Sequence, residues 1–245
     1  MNKTKLIALF ITSALSTGVY AHDWNYDSQS IENWHKLEGA ELCASGKTQS
    51  PINIETDKTT KKSIQKPVFD YRVQSAEVVN TGKTIQVNFT QKGNKLSWNG
   101  KEYELLQFHF HTPSEEAIDG KRLPLVAHFV HKNKDGELLV VAQLFKIGDQ
   151  NPLLTDLFNN LPLKKQEKNL VSIDLSKLFD RKLSYFNFPG SLTTPPCSEG
   201  VNWFVIKDDG LIEVSETQFK AFTSIFSSNA RPIQPVNNRQ IIDSN

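Results

Sequence analysis

Between Lys95 and His111 the chain reads KLSWNGKEYELLQFHFH, with apolar and polar residues alternating on either side of Asn99-Gly100. Alternation with period two belongs to a strand that buries one face, and Asn-Gly between two such runs is a hairpin turn. A chain built this way must pair its strands into a sheet. The same pattern recurs in AEVVNTGKTIQVNF (76–89), PLVAHFVH (124–131) and ELLVVAQLF (137–145), with turn signals at Gly82, Gly93-Asn94, Asp119-Gly120 and Asp135-Gly136. Helical patterns are few. NPLLTDLFNNL (151–161) and SETQFKAFTSIF (215–226) are the best, the second opening on a Ser215-x-x-Gln218 capping box. Proline clusters at Gln49–Pro51, Phe188–Cys197 and Arg231–Pro235 read as long irregular loops. With 245 residues, no repeat and no Gly/Ser linker, the expected fold is a single mainly β domain with a minor α component of short helices.

The first residues stand apart. Lys3 and Lys5 precede an apolar run from Leu6 to about Leu15, followed by Val19-Tyr20-Ala21. The run is too short to span a bilayer and reads as a signal peptide, residues 1–21, leaving a domain over 22–245 and a periplasmic or secreted location. Losing Lys3 and Lys5, with no acid, takes the net charge from +1 to −1. Near-neutrality gives no support to nucleic-acid or anionic-membrane binding, and the lysine-rich 58–66 stretch reads as a solvated surface. In an exported chain, Cys43 and Cys197 favour one disulfide, with two free thiols as the alternative. Such a bond would close a 154-residue separation, an effect of about 5 kcal/mol in the chain-entropy account. The initiator is the sole methionine, which excludes a thioether-rich copper site.

The strand pattern puts Gln107, His109 and His111 on one face and sends Phe108 and Phe110 to the other. On the strand after Asp119-Gly120, Val126, His128 and Val130 share a face. Antiparallel neighbours would bring the third imidazole to the first two. Three neutral nitrogens with no thiolate or fourth protein ligand suit a zinc site that keeps one position open. The competing reading is a set of half-buried histidines with backbone partners. His131 falls on the opposite face and reads as structural, while His22 and His35 lack ligand spacing.

QFHFHTPSE (107–115), AHFVH (127–131), YFNFPGSLTTPPCSEGVNW (185–203), SPINI (50–54) and NARPIQPVNNRQI (229–241) together resemble an α-class carbonic anhydrase of bacterial type, from about Trp24 to Ile241. The resemblance implies a large, twisted, mostly antiparallel central sheet with the metal at the base of a conical cleft. It implies a zinc enzyme that interconverts carbon dioxide and bicarbonate through zinc-bound hydroxide, with His109, His111 and His128 as ligands. It assigns Thr193 as the hydroxyl that orients the nucleophile, Glu115 as the carboxylate holding Thr193, and Gln107 as the amide partner of His109. Thr194, Val130, Val140, Leu192, Val201 and Trp203 are the implied substrate contacts. Cys43 and Cys197 match the bacterial disulfide positions, and cis bonds are implied before Pro51 and Pro196. Sulfonamides and anions are the implied inhibitors, and homodimers are common among such relatives. Two other readings stand beside this one: a scaffold without catalysis, and an esterase using the same centre.

Three positions depart from the family pattern. Lys83 occupies the place of the proton-shuttling histidine, and an exposed ammonium is a poor proton acceptor. Val126 replaces a glutamate that many members bond to the third ligand, which predicts weaker zinc retention. Glu116 follows Glu115 directly, and strand alternation would turn it away from the site.

Overall fold

The computed structural model describes residues 24–179 and 183–244. The proposed signal peptide and His22 lie outside them. The architecture is a 13-stranded sheet among the described residues, with short helices at its periphery. Eight strands form most of it: β1 (Val73–Asn80), β2 (Ile85–Phe89), β3 (Lys101–His111), β4 (Leu125–Asn133), β5 (Leu138–Ile147), β6 (Lys168–Asp174), β7 (Tyr185–Ser191) and β8 (Glu199–Ile206). Their spatial order is β6-β1-β2-β3-β4-β5-β8-β7, continued by the short pairs Ile242–Asp243 and Thr60–Lys61. Neighbours among the eight run antiparallel except β5 and β8, where Val140 lies beside Trp203 in parallel register.

The alternating segments become strands, and the Asn99-Gly100 turn takes φ of 49° and 73° at its two residues, the left-handed pair a tight hairpin requires. The Ser215 capping box forms at the head of the helix Glu216–Thr223. The segment 151–161 is less regular, with a 3₁₀ turn at Pro152–Leu154 leading into a short helix at Thr155–Asn159.

One expectation fails. The proline-marked loop from Phe188 begins as strand, since β7 runs through Pro189 to Ser191. Pro189 is exposed and pairs with Asn202 alone; the neighbour on the other side reaches only Phe186 and Asn187. A strand tolerates proline where no partner needs its missing N–H. The 58–66 lysine stretch is mostly exposed, although Lys66 donates to the Leu183 carbonyl at 3.0 Å.

The sheet is buried on both faces. On one side Phe108, Phe110, Phe129 and Phe145 pack with Phe222 from the helix; on the other lie Val126, Val130, Val140, Trp203 and Val205. Each such phenylalanine contributes roughly 1.5–3 kcal/mol of transfer free energy. Strand β3 serves both faces through a change of phase. Opposite β4, Val130 pairs with Gln107 but His131 pairs with Leu105, so Leu106 is an extra, exposed residue. This bulge puts Tyr103 and Leu105 on the same side as Phe108 and Phe110 and leaves the histidines on the other.

Cys43 and Cys197 form the expected disulfide. It ties the N-terminal segment to the loop that follows β7, where Cys197 N–H donates to the Thr194 carbonyl at 2.8 Å. The bonds before Pro51 and Pro196 are cis, as is Thr112–Pro113.

Candidate metal centre

Register across β3 and β4 places His128 opposite His109 and Val126 opposite His111. One ligand nitrogen from each of His109, His111 and His128 lies within 4.8 Å of the others. His111 and His128 are buried and His109 is partly open.

Each ring uses its other nitrogen to bond an oxygen that can only accept, and this defines the tautomer. His109 Nδ1 donates to Gln107 Oε1 at 2.8 Å, and His111 Nδ1 donates to the Asn229 carbonyl at 2.7 Å. His128 is reversed: its Nε2 faces the Glu116 carboxylate at 3.0 Å. Nε2 of His109, Nε2 of His111 and Nδ1 of His128 are therefore the nitrogens with lone pairs to offer. His111 Nε2 is buried without a hydrogen-bond partner, which in a closed interior costs free energy unless a cation takes the lone pair.

Burial first, and then the charge of His128, lowers the pKa of His109 to about 3; burial, then the charges of His128 and His109, holds His111 well below its ordinary value. These two rings are neutral, as metal ligands must be. Burial alone would depress His128 too, but the charge and hydrogen bond of Glu116, then Glu115, hold its pKa above the ordinary value. Burial pushes Glu115 up to about 7, against the lowering influence of His128, Thr193 and the Arg231 N–H. The Arg231 N–H donates to Glu115 Oε1 at 2.7 Å. Two buried carboxyl groups and two neutral imidazoles surround the one ring whose basicity is raised, and the donor set and the orphaned nitrogen both fit a divalent ion such as zinc.

Val130, Val140 and Trp203 sit side by side on β4, β5 and β8, and Val201 precedes Trp203 on the same face. The Trp203 ring meets His128 edge-on at 4.9 Å and donates to the Ser191 carbonyl at 3.0 Å. Leu192 is half-buried against this wall; Thr193 is buried and Thr194 partly so.

Two expectations need correction. Lys83 is half-buried, its ammonium 5.0 Å from the centroid of the Trp24 ring. Glu116 faces inward and is 1% exposed. Residues 112–116 leave strand geometry after His111, so alternation does not govern neighbouring side chains there. Val126 offers the third imidazole no carboxylate, and Glu116 reaches that ring instead.

Sequence reading also missed Asn229, Arg231 and Tyr26. Asn229 accepts from Thr112 N–H at 2.8 Å and donates to the Phe110 carbonyl at 2.9 Å. Arg231 donates to Gln49, Ser50 and Cys43 oxygens. Tyr26 stands edge-on to His111 at 6.3 Å, and burial, then Glu115, keeps its phenol protonated well beyond the usual range. The first two fall inside the NARPIQPVNNRQI motif; Tyr26 carries no spacing signal.

Comparison with known proteins agrees with this architecture. Residues 29–245 match the family described as eukaryotic-type carbonic anhydrase. A carbonic anhydrase of Neisseria gonorrhoeae is 40% identical over 242 residues, 97% of this chain and 94% of that protein. One from Pectobacterium atrosepticum is 39% identical, covering 96% and 97%. The α-carbonic anhydrase of Thermovibrio ammonificans, solved with the inhibitor sulfanilamide, superposes with a TM-score of 0.85 at 38% identity, over 90% of this chain and 98% of that one. The chain belongs to the eukaryotic-type, or α-class, carbonic anhydrase family, whose general reaction is the hydration of carbon dioxide.

Proposed function

We propose that this chain is a zinc-dependent carbonic anhydrase, exported from the cytoplasm, that interconverts carbon dioxide and bicarbonate. The observation that carries the reading is the set of three imidazoles, each with its outer nitrogen committed to an acceptor and its inner lone pair converging on one point. Zinc held there would supply a nucleophile from water at neutral pH, chemistry for which carbonic anhydrases are the type example.

The protein's own groups do the rest. With a dication held among the imidazoles, Glu115 would stay ionised against the effect of burial and could then only accept. Thr193 then commits its hydroxyl hydrogen to Glu115 and offers the cleft only lone pairs, which orients an incoming O–H donor. Carbon dioxide is small and apolar. Val130, Val140, Leu192, Val201 and Trp203 give it a water-poor wall, with Thr194 at the edge. Lys83, at the shuttle position and engaged by Trp24, leaves proton export to buffer. An anionic sulfonamide would be held by the same cation and wall.

The test is stopped-flow hydration of carbon dioxide by the zinc-loaded protein, with His109→Ala as control. Activity that needs zinc and vanishes in the variant is the expected result. No hydration with stoichiometric zinc bound would overturn the proposal in favour of a metal-containing scaffold.

A further inference from the structure

Glu116 is an unusual place to find a carboxylate. It is almost wholly buried, it lies on no strand, and its two oxygens straddle His128 Nε2 at 3.0 and 3.2 Å. Among the described residues these oxygens have no other hydrogen-bond partner. No lysine or arginine among the described residues pairs with Glu116 in the way Arg231 attends Glu115. An uncompensated buried carboxylate costs several kcal/mol in general, so this one persists only if what it holds repays the cost.

The segment carrying it is well fastened. Ser114 Oγ donates to the Glu116 carbonyl at 2.8 Å and accepts from Leu123 N–H at 2.9 Å. Ser114 N–H donates to the Leu123 carbonyl at 2.8 Å, and Ala117 N–H reaches the Ile52 carbonyl at 3.2 Å. The backbone on both sides of Glu116 is therefore anchored, and its side chain is delivered to one imidazole edge with little freedom.

On the strand that carries His128, the neighbour two residues before it on the same face is Val126, which can bond nothing. The outer partners of the three rings are then an amide, a backbone carbonyl and a carboxylate, and only the last brings charge.

We infer that Glu116 is the positioning residue of the metal centre: it holds His128 as the Nε2–H tautomer with Nδ1 turned inward, and it supplies the second buried negative charge that balances a bound dication. The inference rests on the zinc reading above and adds to it a residue on the loop after β3 that sets how long the metal stays. Together Glu115 and Glu116 neutralise a divalent ion held by three neutral imidazoles.

The experiment uses the full chain in three forms: wild type, Glu116→Gln, which keeps shape and loses charge, and Glu116→Asp, which keeps charge and loses reach. Zinc release is followed with a chromophoric chelator. The tautomer of His128 is read in the zinc-free protein, at a pH alkaline enough for the ring to be neutral, from the ¹⁵N shifts of its ring nitrogens. Removing an outer partner of this kind typically costs ~10–100-fold in metal affinity. Expected are release about tenfold or more faster in Glu116→Gln, a smaller acceleration in Glu116→Asp, and loss of the pure Nε2–H signature in Glu116→Gln. A wild type that retains zinc while both variants release it at the same rate with an unchanged His128 tautomer overturns the inference and leaves the zinc reading intact, even if their melting temperatures fall. A wild type that binds no zinc overturns both.

Discussion

Asn229 connects the fold to the metal centre, and its replacement by alanine should damage each by a separable amount. Its side chain accepts from the buried Thr112 N–H at 2.8 Å and donates to the carbonyls of Phe110 at 2.9 Å and Lys83 at 3.1 Å. Alanine removes all three bonds. Phe110 keeps a bond from the Thr84 hydroxyl, and the Asn229 backbone N–H keeps Thr112 O. One donor, Thr112 N–H, is orphaned in the interior at a cost of about 1–3 kcal/mol, and two carbonyls each lose a bond worth about 0.5–1.5 kcal/mol. The sum is a loss of about 2–6 kcal/mol, a large share of the ~5–15 kcal/mol that holds a typical domain together. The carbonyl that orients His111 sits on the same residue, so relaxation there should also weaken zinc binding about tenfold. Urea unfolding of the zinc-free, disulfide-intact protein measures the first effect, and chelator competition the second. A stability loss under about 1 kcal/mol at unchanged m-value would refute the hydrogen-bond accounting.

Three other outcomes are expected. Lys83→His should raise maximal hydration turnover in dilute, non-shuttling buffer by at least about tenfold, and an unchanged rate would mean another group already exports the proton. His131 stacks on Tyr71 and bonds its hydroxyl at 2.5 Å; burial lowers its pKa to about 4 from 6.5. The unfolded chain takes up this proton first, so stability falls as pH drops from about 6.5 towards 4. His131→Phe should start less stable at pH 7, with the gap narrowing by about 2 kcal/mol by pH 5 in urea titrations; a constant gap counts against a neutral, buried ring. Replacing Cys43 and Cys197 by serine removes a constraint across 154 residues and should cost about 2–5 kcal/mol, with a melting temperature within a degree or two of wild type as the contrary result.

Period-two alternation was enough to find β1 to β5, because a sheet buried on both sides still separates a histidine-bearing face from a phenylalanine-bearing one. It missed β7, where Pro189 and Gly190 carry turn chemistry into a strand whose local edge is open. It also misjudged Glu116, since alternation applies only while the backbone stays extended, and the backbone turns after His111. Spacing brought the three histidines together as a candidate set, which the family resemblance singled out as ligands, and the cysteine pair was legible from its parity and the expected export. Asn229, Arg231 and Tyr26 act through long-range contacts from loops and the N-terminal segment, where no periodicity marks them. Their roles follow only from what lies across from them.

The extra residue at Leu106 has a consequence for how this strand can change over time. It works as a clutch: the outer half of β3, from Lys101 to Leu105, can drift in composition, and its hairpin can be redesigned, without transmitting a shift of phase to Gln107, His109 and His111. Removing that one residue would leave Tyr103, Leu105, Phe108 and Phe110 in plain alternation on one face and Gln107, His109 and His111 on the other, so both layers would survive and only the bulge would go.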